Sequence, residues 1–181
     1  MEKIGTNYGG WIIPKEIDID KNSILYLVGV GEDMSFDLEI NNRYDSNIIL
    51  IDPTKKAKYH LEEVKEFYKN KEYKFKGNVQ PDYYDKIKEL TPNMDNFTYI
   101  DKGIWDKKDK LKFYKQNNKE YVSQSLIEGM FTENYDIVEV DSIKNIMNEL
   151  GHTKIDLLKL DIEGAENKVL EQMLNDSIYP R

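Results

Sequence analysis

The chain has 181 residues, with 26 Lys+Arg against 34 Asp+Glu and a formal net charge of −8. That balance excludes a nucleic-acid binder built on a basic surface, because phosphate contacts demand clustered cations. With no cysteine, disulfides, thiolate zinc sites and a cysteine nucleophile are excluded as well.

The length suits one domain, 1–181, since chains tend to split only beyond about 250–300 residues. Its first 22 residues form an N-terminal segment with neither the basic start nor the apolar run of a signal peptide. No stretch approaches the roughly 18 consecutive apolar residues of a membrane helix. A soluble, cytoplasmic protein is expected, with no membrane partner.

In chain order, Ile24-Leu25-Tyr26-Leu27-Val28 reads as a buried strand that stops at Gly29-Val30-Gly31. The acids Glu32, Asp33 and Asp37 suit the first turns of a following helix. Ile48-Ile49-Leu50-Ile51 is a second buried strand, ended by Asp52-Pro53. Residues 57–68 carry apolar side chains at helical spacing, and 81–90 form another short helix. Phe97-Thr98-Tyr99-Ile100 starts a third strand leading to Gly103-Ile104-Trp105, and Leu111 to Tyr114 is expected to fold back on it as a hairpin. Residues 116–135 read as a long loop, followed by a strand at 137–140 and a helix over 142–150 that ends at Gly151. A last strand, Ile155 to Leu160, is apolar apart from Asp156 and Lys159. It runs into Asp161-Ile162-Glu163-Gly164 and a helix from Ala165 to Leu174. Strands alternating with helices predict an α/β fold with a largely parallel sheet and helices on both faces.

In such sheets ligands sit beyond the carboxyl ends of the strands. Those ends carry Gly29 to Asp33, Asp52, Asp101-Lys102-Gly103 and Asp161-Ile162-Glu163. Gly29 and Gly31 let a ligand approach the backbone, and Asp52, about twenty residues on, suits the two hydroxyls of a ribose. That combination points to an adenosine-containing cofactor, while the glycines alone are equally an ordinary tight turn. A pyrophosphate fingerprint wants a third glycine at Met34, and Glu32 and Asp33 repel a diphosphate. S-adenosylmethionine, cationic at sulfur and without phosphates, tolerates them, which favours methyl transfer over hydride transfer. His60 and His152 have no partners at ligand spacing, so zinc is not expected. Acids at a strand end also commonly cap the next helix, which is the plain alternative for Asp161 and Glu163. Glu166 reads as a surface acid near a helix N-terminus, and Trp105 as packing or an adenine contact.

Tyr8-Gly9-Gly10-Trp11, Val28 to Asp33 with Ser35-Phe36-Asp37-Leu38, Val138 to Ile143 and above all Ile155 to Glu166 resemble FkbM-type methyltransferases, with Ser123-Gln124-Ser125 matched loosely. The resemblance implies a Rossmann-like class I methyltransferase, S-adenosylmethionine as donor and a hydroxyl acceptor on a saccharide or other small molecule. Tyr8 to Trp11 would form a flap over the cofactor. By position, Gly29, Val30, Gly31, Glu32 and Asp33 would border the methionine and ribose portions and Asp52 would hold the ribose. Asp101 to Gly103 would lie near the adenine, and Asp161 would face the transferred methyl. Asp161 is then the first choice for the base and Glu163 the second; an upward pKa shift or a divalent cation would help either.

Leu27 stands where an acid usually precedes the first glycine by two positions, and Asp33 replaces a third glycine, so the methionine end is expected to be held differently. The chain also stops at Arg181, ahead of strands that a complete fold of this class carries; a C-terminally incomplete domain is expected. Two other readings stay open. One is an NAD-dependent oxidoreductase and the other a non-catalytic nucleoside-binding or structural module; self-association through an open sheet edge is open too.

Overall fold

The computed structural model describes residues 1–76, 80–115, 124–127 and 134–181. Four parallel strands make the central sheet: β3 (Ile24–Val28), β4 (Asn47–Ile51), β5 (Phe97–Ile100) and β10 (Leu157–Leu160), in the order β10-β3-β4-β5. Before them, β1 (Glu2–Ile4) and β2 (Trp11–Ile13) form an antiparallel hairpin. Side chains of successive strand residues point to opposite faces. Leu25, Leu27, Ile48 and Leu50 therefore pack on one side, against α1 (Ser35–Tyr44) and α2 (Lys55–Lys69). Tyr26, Val28, Ile49 and Ile51 pack on the other, against α4 (Ile143–Leu150) and α5 (Glu166–Asn175). Both faces are covered, which is why these strands read as unbroken apolar runs rather than alternating ones.

The helix ends follow local chemistry. Thr54 caps α2 by accepting from Ala57 N at 3.2 Å, and Ser142 caps α4 by accepting from Asn145 N at 3.2 Å. Gly151, at φ 70°, closes α4 in the left-handed region, and His152 N donates back to Met147 O at 2.8 Å. His152 is thus a helix-end residue, its Nδ1 2.9 Å from the Tyr26 hydroxyl. The expected helix start after Gly31 is corrected: α1 begins only at Ser35, leaving Glu32 and Asp33 in the turn and Asp37 alone in the first helical turn.

The expected hairpin between 103–105 and 111–114 is also corrected. β6 (Gly103–Ile104) pairs in parallel with β9 (Tyr135–Asp141), and β7 (Asp109–Lys115) pairs antiparallel with β9 and with β8 (Gln124–Ser125). A two-residue strand offers few ladder bonds. The six-pair register from Asp109↔Val140 to Tyr114↔Tyr135 gives β7 a longer partner in β9. The loop expected over 116–135 falls largely outside the described residues, as does Ser123; Gln124–Ser125 and Tyr135 lie in strands.

A cap over α2 is built from α3 (Pro81–Ile87) and Phe75, with His60, Phe67, Phe75 and Tyr83 stacked at centroid distances of 5.2–5.8 Å. His60 is 2 % exposed and its Nε2 lies 2.7 Å from the Tyr83 hydroxyl. Burial pushes its pKa down from 6.5 to about 4, against the opposing pull of Asp33. The folded chain keeps His60 neutral while the unfolded chain takes up a proton below pH 6.5. Its stabilising contribution is therefore complete above pH 6.5 and is lost as pH falls to about 4, a difference of roughly 3 kcal/mol. His152, lowered by partial burial, works in the same direction, whereas Asp37 and Asp161, raised by burial, work in the opposite one. Urea titrations at pH 7 and pH 4.5 of the native chain and of His60→Gln isolate the effect. The native chain is expected to lose more stability on acidification, and equal losses would remove His60 as the cause.

Candidate active site

The carboxyl ends of β3, β4 and β10 open onto a cavity of about 300 Å³. Gly29 to Asp33 form its floor, Asp52 to Thr54 and Gly103-Ile104 one end, and Lys159 with Asp161 to Glu163 the other. Tyr8 and Gly9 reach over it from the hairpin turn, and Phe113 of β7 and Leu126, just after β8, border it as well.

The hairpin is fastened to the start of α1. Gly5 N donates to Glu39 Oε2 at 2.8 Å, Thr6 N to Ser35 Oγ at 2.8 Å and Thr6 Oγ1 to Asp33 Oδ2 at 2.6 Å. Asp33 Oδ1 also accepts from Ser35 N at 2.9 Å, so this acid organises the helix entry. Tyr8 is exposed, and the Trp11 ring lies 5.9 Å from Lys159 Nζ.

The glycine turn is tied to the next strand by Asp52. Its Oδ2 accepts from Val30 N at 2.9 Å and Gly31 N at 3.1 Å, and its Oδ1 from Thr54 N at 2.8 Å and Thr54 Oγ1 at 2.6 Å. All four bonds go to protein groups, so a ribose diol can use this carboxylate only by displacing one of them. Glu32 borders the cavity 3.7 Å from Lys56 Nζ. Gly103 borders it as well, but Asp101 does not: its carboxylate turns outward to Lys58 at 2.9 Å. Trp105 is also outside the lining, half-buried with Lys168 Nζ 4.8 Å from its ring centroid.

At the far end, Asp161 N donates to Val28 O at 3.1 Å, extending the β3–β10 ladder to the cavity edge. Its carboxyl is held above the ordinary 3.8 by desolvation, with Lys159 pulling it down and Glu163 and Glu166 adding to the rise. Glu163 sits at φ 52°, an unusual conformation for a residue with a side chain, and its carbonyl accepts from Ser125 Oγ at 2.7 Å. The helix-capping alternative for Asp161 and Glu163 is corrected. Glu166 reaches back instead, accepting from Ile162 N at 3.1 Å and Gly164 N at 2.9 Å, which leaves the other two acids on the cavity.

Two residues that strand-end reasoning passed over belong here. Lys159, 6 % exposed, borders the cavity and donates from Nζ to Gly29 O at 3.3 Å. Asp37 is fully buried 4.0 Å from that ammonium, and neither of its carboxylate oxygens has a hydrogen-bond partner; burial raises its pKa against the pull of Lys159. The signal was a lone lysine in the apolar run 155–160. Among the described residues no group of three or more His, Asp or Glu could hold a metal ion, and no helix is long and apolar enough to cross a membrane.

A parallel sheet with helices on both faces, a glycine turn after its first strand and a cavity across the strand ends define a Rossmann-like methyltransferase fold. The family model of the methyltransferase FkbM domain matches residues 26–178, and the chain belongs to that family; methyl transfer is its reaction class. Neither a curated protein nor a solved structure matches the chain.

Proposed function

We propose that the protein transfers a methyl group from S-adenosylmethionine to a hydroxyl of a saccharide or other small hydroxylated acceptor, with Asp161 as base. The observation that carries this is Asp161 itself, a carboxyl of raised pKa at the cavity edge beside the glycine turn. The residues suit the donor. A glycine turn open to close approach at Gly31 and five bordering carboxylates favour a cationic, phosphate-free nucleoside.

When bound, S-adenosylmethionine supplies an electrophilic methyl on a positively charged sulfur. The chain holds the acceptor oxygen in line with that carbon and removes its proton at Asp161, with Glu163 the second candidate. The raised pKa makes Asp161 a better base than an ordinary carboxylate. Tyr8 and Gly9, above the cavity, help to keep water out.

Calorimetric titration with S-adenosylhomocysteine, and with NAD as control, tests the donor. Binding of the first and not the second is expected; NAD binding alone would overturn the reading. Once an acceptor is found, Asp161→Asn is expected to lower kcat by about 10²–10⁴-fold while S-adenosylhomocysteine still binds. The native rate should fall as acid protonates Asp161, at a higher pH than an ordinary aspartate would require. An Asp161→Asn enzyme of undiminished kcat would pass the role to Glu163.

A further inference from the structure

We infer that Lys159 receives the carboxylate of the cofactor's amino-acid end, an inference that rests on the S-adenosylmethionine reading above.

Lys159 stands on β10 in register with Leu27 of β3, so the two side chains share the face covered by α1. Its ammonium has three donors, and only the bond to Gly29 O at 3.3 Å uses one within hydrogen-bond distance. The Asp37 carboxylate is 4.0 Å away, too far for a hydrogen bond, and the Trp11 and Phe36 ring centroids lie at 5.9 Å and 6.0 Å. A buried ion pair so thinly bonded is a poor stabiliser, and apolar side chains of the same volume commonly serve a core better. Recognition is what remains for a cation whose spare donors border a cavity.

The chemistry of the ligand follows from the walls. Lys159 is the only cation bordering the cavity among the described residues, facing Glu32, Asp33, Asp52, Asp161 and Glu163. Those acids repel a simple anion. An α-amino carboxylate, which brings its own positive charge alongside its negative one, satisfies both the ammonium and the acidic surround. The sheet order separates the two ends of such a ligand. β10 lies beside β3, with β3 and β4 between it and β5, so the Gly103-Ile104 end of the cavity is left for the nucleobase. An ammonium beside Leu27 also compensates for the apolar residue there, holding the amino-acid end through its carboxylate.

The test uses three probes on the full chain: S-adenosylhomocysteine, its decarboxylated analogue, and 5′-methylthioadenosine, which keeps the nucleoside and thioether without the amino-acid end. Loss of the ligand carboxylate is expected to weaken binding to the native chain by about tenfold or more, the usual scale of a charge-assisted hydrogen bond. Lys159→Met is expected to weaken S-adenosylhomocysteine by a similar factor, to leave 5′-methylthioadenosine within about twofold, and to abolish the preference for the carboxylated ligand. Lys159→Arg should restore part of that preference. Equal weakening of all three probes by Lys159→Met would make the lysine structural and overturn the inference. So would a native chain that binds the decarboxylated analogue as tightly as the parent. If Lys159→Met does not fold, the native ligand pair and Lys159→Arg decide. A native chain that binds none of the three overturns the donor reading, and the inference with it.

Discussion

Replacing Gly29 by alanine is expected to lower the stability of the fold by about 4 kcal/mol and to abolish ligand binding, whereas Gly31→Ala should cost only about 1–2 kcal/mol. Both glycines hold positive φ, 78° and 61°. A side chain in that region costs roughly 1–2 kcal/mol at either position. The difference lies in what a Cβ would meet. At Gly31 there is nothing within 4 Å, while at Gly29 it would stand 1.9 Å from the carbonyl oxygen of Asp161 and 2.8 Å from its carbonyl carbon. Those are backbone atoms anchored by the bond from Asp161 N to Val28 O, so they cannot swing aside as a side-chain tip would. Relief requires β3 and β10 to part at the cavity edge, moving Lys159 and Asp161 together. Thermal unfolding checks it: Gly29→Ala should melt about 10 °C lower and Gly31→Ala only a few degrees lower. Equal melting temperatures would mean that the turn yields without separating the strands.

That close approach shows what the sequence could and could not convey. A glycine pair after an apolar run says that the backbone turns sharply. It does not say that the second wall of the turn is Asp161, more than 130 positions later. The parallel strands at 24–28 and 48–51 were legible because residues buried on both faces leave a continuous apolar run bounded by turn residues. The edge strand β10 was legible in kind but began two residues late: the Asp156 carboxylate, not a backbone carbonyl, accepts from Ile24 N at 2.9 Å, and the strand starts only at Leu157. The pairing of β6, β7 and β9 was not legible. Register between distant segments depends on which partner offers the longer ladder, and nothing local to Gly103-Ile104 or Asp109–Lys115 records it. At the site, strand-end reasoning found the positions of Asp161 and Glu163 on the cavity but not the division of labour among neighbouring acids. Whether Glu163 or Glu166 turns back onto the 162–164 backbone depends on the φ of 52° at Glu163, which composition does not reveal.

Asp52 presents the same problem with larger energetic consequences. Asp52→Ala is expected to cost about 3–4 kcal/mol and to weaken S-adenosylhomocysteine at least tenfold, because its carboxylate accepts from both turn donors, Val30 N and Gly31 N, and so ties the turn to the neighbouring strand end. Deleting it leaves those groups and Thr54 N without their acceptor at a buried position, and hydrogen bonds to a charged acceptor carry more than neutral ones. Asp52→Asn should be milder, about 1–2 kcal/mol. Its amide oxygen can stay on Val30 N and Gly31 N, and its NH₂ can donate to Thr54 Oγ1 once that hydroxyl turns to accept; only Thr54 N then lacks a partner. Chemical unfolding of the two variants, alongside calorimetry, checks the order. The comparison also separates two roles for the residue. If Asp52 acts on the cofactor by shaping the glycine turn, affinity should fall in step with stability, so that Asn retains most of the binding. If its carboxylate exchanges a protein donor for a ribose hydroxyl, Asn should lose affinity out of proportion to its small loss of stability. A 2′,3′-dideoxy nucleoside should then bind the native chain no better than it binds the Asn variant.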